Sequence, residues 1–353
     1  MKRAVEISLG FITKAKQRKI CVLLEAYRSA VNFFISSIWK NEDKLDAETL
    51  ARLQNTRLSA RYKGHALRQA LSIVISTRKA AKKLKRFVSM PRFNGMAILS
   101  DGLVTIENGQ GFFDLMVKLS TLQKYKRIWL PCRKTRVLNK WIARGGELIQ
   151  GCALSESCLI LWVDLPDLPV KETGEIIGCD IGKNKMLAFS DENKAGLELS
   201  SICDKVVRRE NGSNGKKRAM CERKNYINRV LNGVNWDKIG TLVVEDLKNL
   251  KHDKQKNRGR AFRRQLSPWT YAQVLRRMRC KCEENRVFLT TVAPAFTSQI
   301  CPVCGYRDRN NRQNEIFLCL RCGYSADADY VGARNILARY LGSVKSPTYK
   351  ATG

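Results

Sequence analysis

Two pairs of cysteines towards the end of the sequence constrain the fold of this chain more than any other feature. Cys301 and Cys304 form one C-x-x-C pair, Cys319 and Cys322 form another, and 14 residues separate the pairs. Four thiolates at this spacing can surround one Zn²⁺ ion tetrahedrally, and they leave no coordination position for water. The sequence therefore predicts a structural zinc ribbon with Zn²⁺ as its cofactor.

Disulfide bonds or unligated thiols are the alternative interpretation of these cysteines. The chain has 13 cysteines among 353 residues and a formal net charge of +33. An odd number of cysteines in a large basic chain is atypical of a secreted domain held by disulfides, so reduced thiols are expected. Gly305 and Gly323 each follow a cysteine pair, where the backbone around a zinc ion must turn tightly. These features favour zinc.

The excess of positive charge indicates a polyanionic partner. The chain has 65 Lys and Arg residues against 32 Asp and Glu residues. Side chains that neutralise phosphates and release counterions are typical of nucleic-acid-binding proteins, although ribosomal, chromatin-associated and membrane-surface proteins share this composition. Charge alone therefore predicts a class of partner and no activity.

No part of the sequence predicts a membrane segment. The densest apolar run, Leu159–Val163, is far shorter than the roughly 20 residues that cross a bilayer. The basic N-terminus lacks the apolar core of a secretory signal. We expect a cytoplasmic protein without a membrane partner, associated with the nucleoid when it is bound to DNA.

The first part of the chain combines strand and helix patterns. Residues 4–9 alternate as a half-buried strand does, and apolar residues from Ile20 to Ile38 recur at spacings of three and four, which indicates a helix. A second helical stretch covers residues 47–85, and Gly64 could interrupt it.

Short apolar runs between residues 91 and 166 are typical of β-structure, such as a small barrel. The proline-containing segment Leu165–Glu172 marks the predicted domain boundary. The first domain, residues 1–168, combines the β-barrel with helices inserted at about 11–85. The second, residues 169–353, has an α/β pattern with the zinc ribbon inserted at about 296–326.

Strands and helices alternate in the second domain. Ile176–Ile181 and Met186–Phe189 predict a hairpin, and the β-branched run Thr241–Val244 is typical of a central strand. Ser267 and Pro268 form the N-cap and first-turn pair of a predicted helix.

Three carboxylates lie where these elements end or begin. Asp180 lies in an apolar strand, Glu245 directly follows another, and Asp329 is at the start of the last predicted helix. A buried carboxylate is costly without a partner, and Mg²⁺ prefers oxygen ligands and often binds substrate phosphates as well. Taken singly, each acid has a simpler interpretation, as a turn residue, a surface strand end and a helix cap respectively.

The sequence distinguishes Asp329 from Asp327. Residues two apart on a helix point about 200° away from each other, so only one of these acids can face the sheet. Asp329 shares a face with Ala333 and Ile336 in the apolar stripe of the last helix. Asp329 is therefore predicted to point inward, and Asp327 to cap the helix.

A basic segment follows the second carboxylate. It is either a loop that contacts a nucleic-acid backbone or a solvated run of charge, and its position between the carboxylate and cysteine motifs favours nucleic acid. The candidate binding residues are Lys251, Lys254, Lys256, Arg258, Arg260, Arg263 and Arg264.

Four sequence motifs carry a resemblance to a known family. G-C-D-I-G at 178–182, V-V-E-D-L at 243–247 and D-A-D-Y-V-G-A-R-N-I at 327–336 resemble the three RuvC motifs of TnpB and of the compact type V CRISPR effectors. T-S-Q-I-C-P-V-C-G at 297–305 is similar to the family's segment leading into its zinc ribbon. The order of the motifs also matches.

This resemblance implies an RNase H-like RuvC domain in which Asp180, Glu245 and Asp329 bind catalytic Mg²⁺. It also implies an N-terminal β-barrel and helical recognition lobe that binds guide RNA and reads a short motif in the target DNA. The implied function is RNA-guided DNA cleavage by a transposon-encoded or compact type V enzyme. An RNA-guided DNA-binding protein or repressor with little cleavage is the alternative, and a transposase is a third, weaker interpretation.

Overall fold

A computed structural model describes residues 1–40, 57–85, 87–246 and 270–342. The chain divides into two units, Met1–Asp167 and Leu168–Gly353. Within the described residues each unit combines helices with β-sheet, so the predicted mixed α/β content is confirmed. None of the described helices has the length and apolar composition that a transmembrane segment needs.

The first unit contains two antiparallel sheets, with strand orders β1-β7-β6-β2 and β3-β4-β5. Its elements are β1 (Lys2–Ser8), α1 (Lys14–Lys40), α2 (Ala60–Leu84), β2 (Ala97–Ser100), β3 (Val104–Asn108), β4 (Leu115–Ser120), β5 (Arg127–Cys132), α3 (Arg136–Ile142), β6 (Glu147–Leu154) and β7 (Cys158–Asp164). Gln150 of β6 joins the sheets, because its side chain accepts a hydrogen bond from the Ile106 amide at 2.7 Å and donates one to the Ile106 carbonyl at 3.2 Å. A closed barrel stays a prediction.

Helix α1 has the predicted apolar stripe. Its six residues are all buried: Ile20, Leu24, Tyr27, Val31, Phe34 and Ile38. Helix α2 packs beside α1, where the Tyr27 hydroxyl donates to Oε1 of Gln69 at 2.8 Å. The periodicity therefore identifies the buried face of α1 correctly.

The predicted interruption at Gly64 is wrong, since α2 runs through this residue without a break. The side chain of Ser59 caps the helix by accepting a hydrogen bond from the Tyr62 amide, and Tyr62 is buried. A glycine inside a helix costs only about 1 kcal/mol relative to alanine, which packing of this kind offsets. The predicted start of the helix, at 47–56, lies outside the described residues.

The second unit is built on a five-stranded sheet with the strand order β10-β9-β8-β11-β12. Its elements are β8 (Glu175–Asp180), β9 (Leu187–Phe189), β10 (Lys194–Ala195), α4 (Leu199–Arg208), α5 (Asn214–Asn232), β11 (Ile239–Glu245), α6 (Tyr271–Glu284), β12 (Phe288–Val292), β13 (Arg312–Gln313), β14 (Ile316–Leu318), β15 (Ser325–Asp327) and α7 (Ala328–Tyr340). Strands β13, β14 and β15 form a separate small antiparallel sheet.

The central strands of the larger sheet are parallel. β11 pairs in parallel with β8 on one side and with β12 on the other, whereas β9 is antiparallel to β8. The predicted hairpin and the predicted central strand are both confirmed. The helix start predicted at Ser267 and Pro268 lies outside the described residues, and α6 is described from Tyr271.

Candidate metal centres

Asp180 and Glu245 end two neighbouring parallel strands. β8 and β11 pair with Val244 opposite Cys179, so the next residue of each strand is a carboxylate. Adjacent strands lie about 4.8 Å apart, and paired residues point to the same face of the sheet. The strand pairing therefore brings two of the predicted ligands to one edge of the sheet.

Helix α7 lies directly against β8 at two glycines. A Cβ atom on Gly178 would lie 2.3 Å from the carbonyl oxygen of Ala333, and one on Gly332 would lie 3.1 Å from Oδ2 of Asp180. Only glycine permits so close an approach at Gly178. Asp329 precedes Gly332 by three residues, about one helical turn, so α7 brings the third predicted carboxylate to the same edge.

Burial and two neighbouring negative charges act on the Asp180 carboxyl group. Desolvation raises the pKa of this group most, and the negative charges of Glu245 and Asp329 raise it further. The Arg312 guanidinium lowers it. Together they raise the pKa of Asp180 to about 7. An enclosed carboxyl group beside two others favours a bound proton or a metal cation.

If Mg²⁺ binds at the predicted carboxylates, this raised pKa makes its effect on stability depend on pH. An unfolded aspartate has a pKa of about 3.9, so the metal-free folded state holds an extra proton between about pH 4 and pH 7. The contribution of Asp180 to the free energy of unfolding therefore falls as pH rises through that window. Mg²⁺ must displace the proton at pH 6 but not at pH 8, so we expect a larger Mg²⁺-dependent rise in melting temperature at pH 8. Calorimetry of wild type and Asp180→Asn checks this, because the variant should show no such difference. Equal rises at both pH values in wild type would contradict the expectation.

Two cations contact Asp329. Nη2 of Arg312 donates to Oδ1 of Asp329 at 2.7 Å, and Nζ of Lys185 lies 3.4 Å from Oδ2. Lys185 lies between β8 and β9, and Arg312 comes from β13, between the two cysteine pairs. Neither residue was identified from the sequence, because no local pattern links them to an acid more than a dozen positions away.

Thr297 and Asn335 hold Glu245 in place. Oγ1 of Thr297 donates a hydrogen bond to Oε1 of Glu245. Nδ2 of the buried Asn335 donates to the carbonyls of Thr297 and Ile300, at 2.7 and 2.8 Å. These two residues were also missed as site residues, although both lie in motifs that carry the family resemblance. They orient a carboxylate without being ligands themselves.

Asp327 caps α7, as predicted. Its side chain accepts hydrogen bonds from the amides of Asp329 and Tyr330, each at 3.1 Å. Lys185 and Lys194 lie 2.7 and 2.8 Å from its Oδ2. Burial opposes ionisation of Asp327, but hydrogen bonds from the two lysines outweigh it and hold its pKa well below the usual range. Asp327 is also the last residue of β15.

The four predicted zinc ligands form one cluster. Their sulfur atoms all lie within 4.8 Å of one another, with 3.7 Å between Cys301 and Cys322 and 3.5 Å between Cys304 and Cys319. Zn–S bonds of about 2.3 Å in a tetrahedron place sulfurs about 3.8 Å apart, whereas a disulfide needs about 2.05 Å. The cluster therefore fits a zinc ion and excludes disulfides among these residues.

Each cysteine pair turns in the same way. The amide of Gly305 donates to the Cys301 carbonyl at 3.0 Å, and that of Gly323 donates to the Cys319 carbonyl at 2.9 Å. The two glycines have φ angles of 71° and 73°, a region that favours glycine. The tight turns predicted after the cysteine pairs are therefore confirmed.

The cysteine site is the more compact of the two centres. Within the described part of the chain, no other group of three or more Cys, His, Asp or Glu residues brings its ligand atoms so close together. The oxygens of Asp180, Glu245 and Asp329 are therefore spaced more widely. The basic candidates from Lys251 to Arg264 lie outside the described residues.

Comparisons with known proteins cover the four cysteines and Asp329. Residues 271–336 match the family model described as Cas12f1-like, TNB domain. The chain is 40% identical over 98 residues to CRISPR-associated endodeoxyribonuclease Cas12f1 of Sulfoacidibacillus thermotolerans, across 28% of this chain and 21% of that protein. It is 26% identical over 265 residues to the putative RNA-guided DNA endonuclease InsQ of Escherichia coli (strain K12), across 61% of this chain and 62% of that protein. The chain thus matches less than two thirds of the length of either relative.

A solved structure shares the fold. The Cas12f1 chain in a cryo-EM structure of a Cas12f1-sgRNA-target DNA complex matches with a TM-score of 0.54 and 16% identity, over 92% of this chain and 82% of that chain. Together, the fold and the cysteine cluster define a mixed α/β protein with four cysteines that are spaced as in a zinc ribbon. Over part of its length the chain is thus similar to a Cas12f1 protein and to InsQ, in agreement with the family resemblance that its motifs carry.

Proposed function

We propose that the chain is an RNA-guided DNA endonuclease in which Asp180, Glu245 and Asp329 hold divalent metal ions. The observation that carries the proposal is the meeting of β8, β11 and α7, each with one carboxylate, at one edge of the sheet. The raised pKa of Asp180, caused first by burial and then by the other two acids, supports it. The names of Cas12f1 and InsQ as DNA endonucleases support it further.

In this proposal residues 169–353 form the RuvC-like nuclease domain, with an RNase H-like sheet and the zinc ribbon inserted at about 296–326. The antiparallel β8–β9 hairpin, with the parallel strands β11 and β12 beside β8, supports this fold. Residues 1–168 form the recognition lobe, whose β-barrel would be built from the two antiparallel sheets and whose helices lie at about 11–85.

The three carboxylates suit Mg²⁺ chemically, because this ion prefers oxygen ligands. Mg²⁺ bound there would activate water and stabilise the leaving oxygen of a phosphodiester bond. Asp180 must first release its proton, and Thr297 keeps one oxygen of Glu245 oriented through its hydrogen bond. Arg312 and Lys185 add positive charge beside Asp329, which favours the approach of a phosphate.

The proposed partners are guide RNA and target DNA. The solved Cas12f1 complex contains an sgRNA and target DNA together with its protein, and the net charge of +33 suits two polyanions. Pairing between guide and target would supply most of the sequence specificity. The basic residues from Lys251 to Arg264 remain candidates for backbone contacts.

The test of this function is Glu245→Gln, which removes one ligand charge at nearly constant volume. We expect it to lower Mg²⁺-dependent cleavage of guide-matched DNA by more than about a hundredfold while leaving guide-RNA affinity within about twofold. Glu107→Gln, at an exposed residue of β3, is the matched control and should cut normally. If wild-type protein binds guide-matched DNA but never cuts it, across a library of flanking sequences, the chain is instead an RNA-guided binding protein or repressor.

A further inference from the structure

Helix α7 contains a buried arginine, Arg339, outside the set of proposed metal ligands. Its Nη1 donates a hydrogen bond to the Ala293 carbonyl, and its Nη2 donates one to the Ala295 carbonyl at 2.7 Å. Within the described part of the chain its hydrogen bonds all go to these carbonyls, and it has no ion pair. An apolar residue would fill the same space without the cost of burying a charge. The two hydrogen bonds are therefore what the arginine adds.

Both carbonyls belong to a turn, residues 293–297, that returns the chain to Glu245. Val292, the last residue of β12, pairs with Glu245, and Thr297 then donates a hydrogen bond to the Glu245 carboxylate. Between them, Phe296 has a φ angle of 65°, in the left-handed region that residues other than glycine rarely adopt. Such a conformation persists only where surrounding contacts enforce it. The 293–297 turn therefore needs contacts from outside itself.

Three side chains supply those contacts. Arg339 binds the carbonyls at positions 293 and 295, and Asn335 binds the carbonyl of Thr297 at 2.7 Å. The guanidinium of Arg307 lies over the Phe296 ring, 4.3 Å from its centre. Asn335 and Arg339 are four residues apart, so they share one face of α7. Loss of Arg339 would remove two of the hydrogen bonds that hold this turn against the helix.

One helix thereby controls the positions of two proposed ligands. Asp329 lies in the first turn of α7, and Glu245 is held through Thr297 by residues nearer the end of the same helix. A helix keeps its two ends in a fixed relation because its backbone hydrogen bonds are continuous. The Asp329 and Glu245 carboxylates should therefore keep a fixed separation, which suits an ion such as Mg²⁺ with strict geometric demands.

We propose that Arg339 is a positioning residue of the metal centre, which holds the 293–297 turn so that Thr297 keeps Glu245 in the orientation that binds a divalent ion. This role rests on the proposed function, because it requires that the three carboxylates bind metal. Arg339 acts on the ion through the turn, through Thr297 and finally through Glu245, and it does not contact the ion itself.

A through-space effect of the positive charge is the alternative. Burial lowers the pKa of Arg339, and the negative charge of Glu245 raises it, so the two charges interact. The two explanations predict opposite effects on metal affinity. Loss of a positioning contact weakens binding of the ion, whereas loss of a nearby positive charge strengthens it.

The test measures binding of Mn²⁺, which accepts the same oxygen ligands as Mg²⁺, to purified protein without nucleic acid. Electron paramagnetic resonance reports the free ion at a temperature well below the melting transition. Arg339→Met should bind Mn²⁺ about tenfold more weakly than wild type. Arg339→Lys keeps the charge but lacks the planar fork that reaches two carbonyls, so it should also bind weakly. Asp180→Asn, which removes a proposed ligand, identifies the binding that belongs to the carboxylate site.

Arg334→Met is the matched control, since Arg334 is an exposed residue of the same helix. It should bind Mn²⁺ as wild type does. Hydrogen exchange at the Gln299 amide, which donates to the Phe296 carbonyl at 2.9 Å, reports the state of the turn. This exchange should be faster in Arg339→Met than in Arg334→Met.

A double variant locates the effect at Thr297. Thr297→Val removes the hydroxyl that bonds to Glu245. If Arg339 acts through this hydroxyl, adding Arg339→Met to Thr297→Val should cause little further loss of Mn²⁺ affinity. Full additivity of the two losses would show that Arg339 acts by another route.

Three further results would overturn the proposal. Tighter Mn²⁺ binding by Arg339→Met, with wild-type affinity in Arg339→Lys, would assign a through-space effect of charge. A lower melting temperature with unchanged Mn²⁺ affinity would assign Arg339 to packing alone. Wild-type protein that binds no Mn²⁺ would overturn the metal centre and this role together. If wild type binds Mn²⁺ but never cuts guide-matched DNA, the endonuclease proposal fails, and the Mn²⁺ affinities of the variants alone decide the role of Arg339.

Discussion

Asp329→Ala is expected to lower cleavage of guide-matched DNA by more than about a hundredfold, whereas Asp327→Ala should still cut. Asp329 precedes Gly332 by about one helical turn, and Gly332 lies against Asp180. Asp329 therefore lies at the proposed metal site. Its loss removes one of the negative charges that oppose ionisation of Asp180, and it also removes the ion pairs with Arg312 and Lys185. Because these two effects on stability oppose each other, we expect little net loss of folding. Loss of a metal ligand reduces the rate directly because it weakens the charge stabilisation of the reaction.

Asp327→Ala should instead reduce stability. The change removes a helix cap, worth about 1–2 kcal/mol, and ion pairs with Lys185 and Lys194. For a unit of this size the melting temperature should fall by about 2–8 °C. Cleavage assays in Mg²⁺ beside thermal melts of both variants check the pair of expectations. Robust cutting by Asp329→Ala, or an inactive but well-folded Asp327→Ala protein, would show that the wrong aspartate has been assigned to the metal.

The second large effect is expected when the cysteine cluster loses its metal. The apparent binding energy of a structural zinc ion is about 10–16 kcal/mol in small zinc-finger peptides at pH 7, and this energy is largely folding energy. Cys319→Ser removes one of four sulfur atoms that all lie within 4.8 Å of one another. The ribbon should therefore unfold and carry Arg312 away from Asp329, with loss of cleavage.

Cys221→Ser is the matched control, since Cys221 is an exposed thiol outside the cluster. Elemental analysis should find one zinc ion per chain in wild type and in Cys221→Ser, and much less in Cys319→Ser. Freshly purified wild-type protein without zinc, or a fully active Cys319→Ser protein, would contradict this expectation.

Features that depend on neighbouring residues could be predicted from the sequence. The buried stripe of α1, the β8–β9 hairpin, the turns at the cysteine pairs and the cap at Asp327 all follow from local periodicity or from one residue's backbone preference. Three short motifs resemble those of a known family. This resemblance identified the three carboxylates as candidate residues of one site. Local patterns suffice in these cases because the stabilising contacts lie within a few positions.

Features that depend on distant contacts were missed. Helix α3, within the predicted β-rich segment, has only seven residues, and its formation relies on the Thr135 cap and on burial of Leu138 and Trp141. Arg312 reaches Asp329, and Thr297 reaches Glu245, across long stretches of chain. Nothing in the spacing of these residues predicts which acid each will contact, because tertiary packing alone decides it.

Asp327 belongs to two structural elements. It is the last residue of β15, and its side chain caps α7, the helix that carries Asp329. The Ala328 amide also donates to the Glu315 carbonyl within the insert, at 2.9 Å. Occupancy of the cysteine site and affinity at the carboxylate site should therefore be thermodynamically linked, each raising the other by the same factor. In a cell starved of zinc, newly made chains would be expected to have a weakened carboxylate site, so that zinc supply would set the fraction of chains in which both sites are formed.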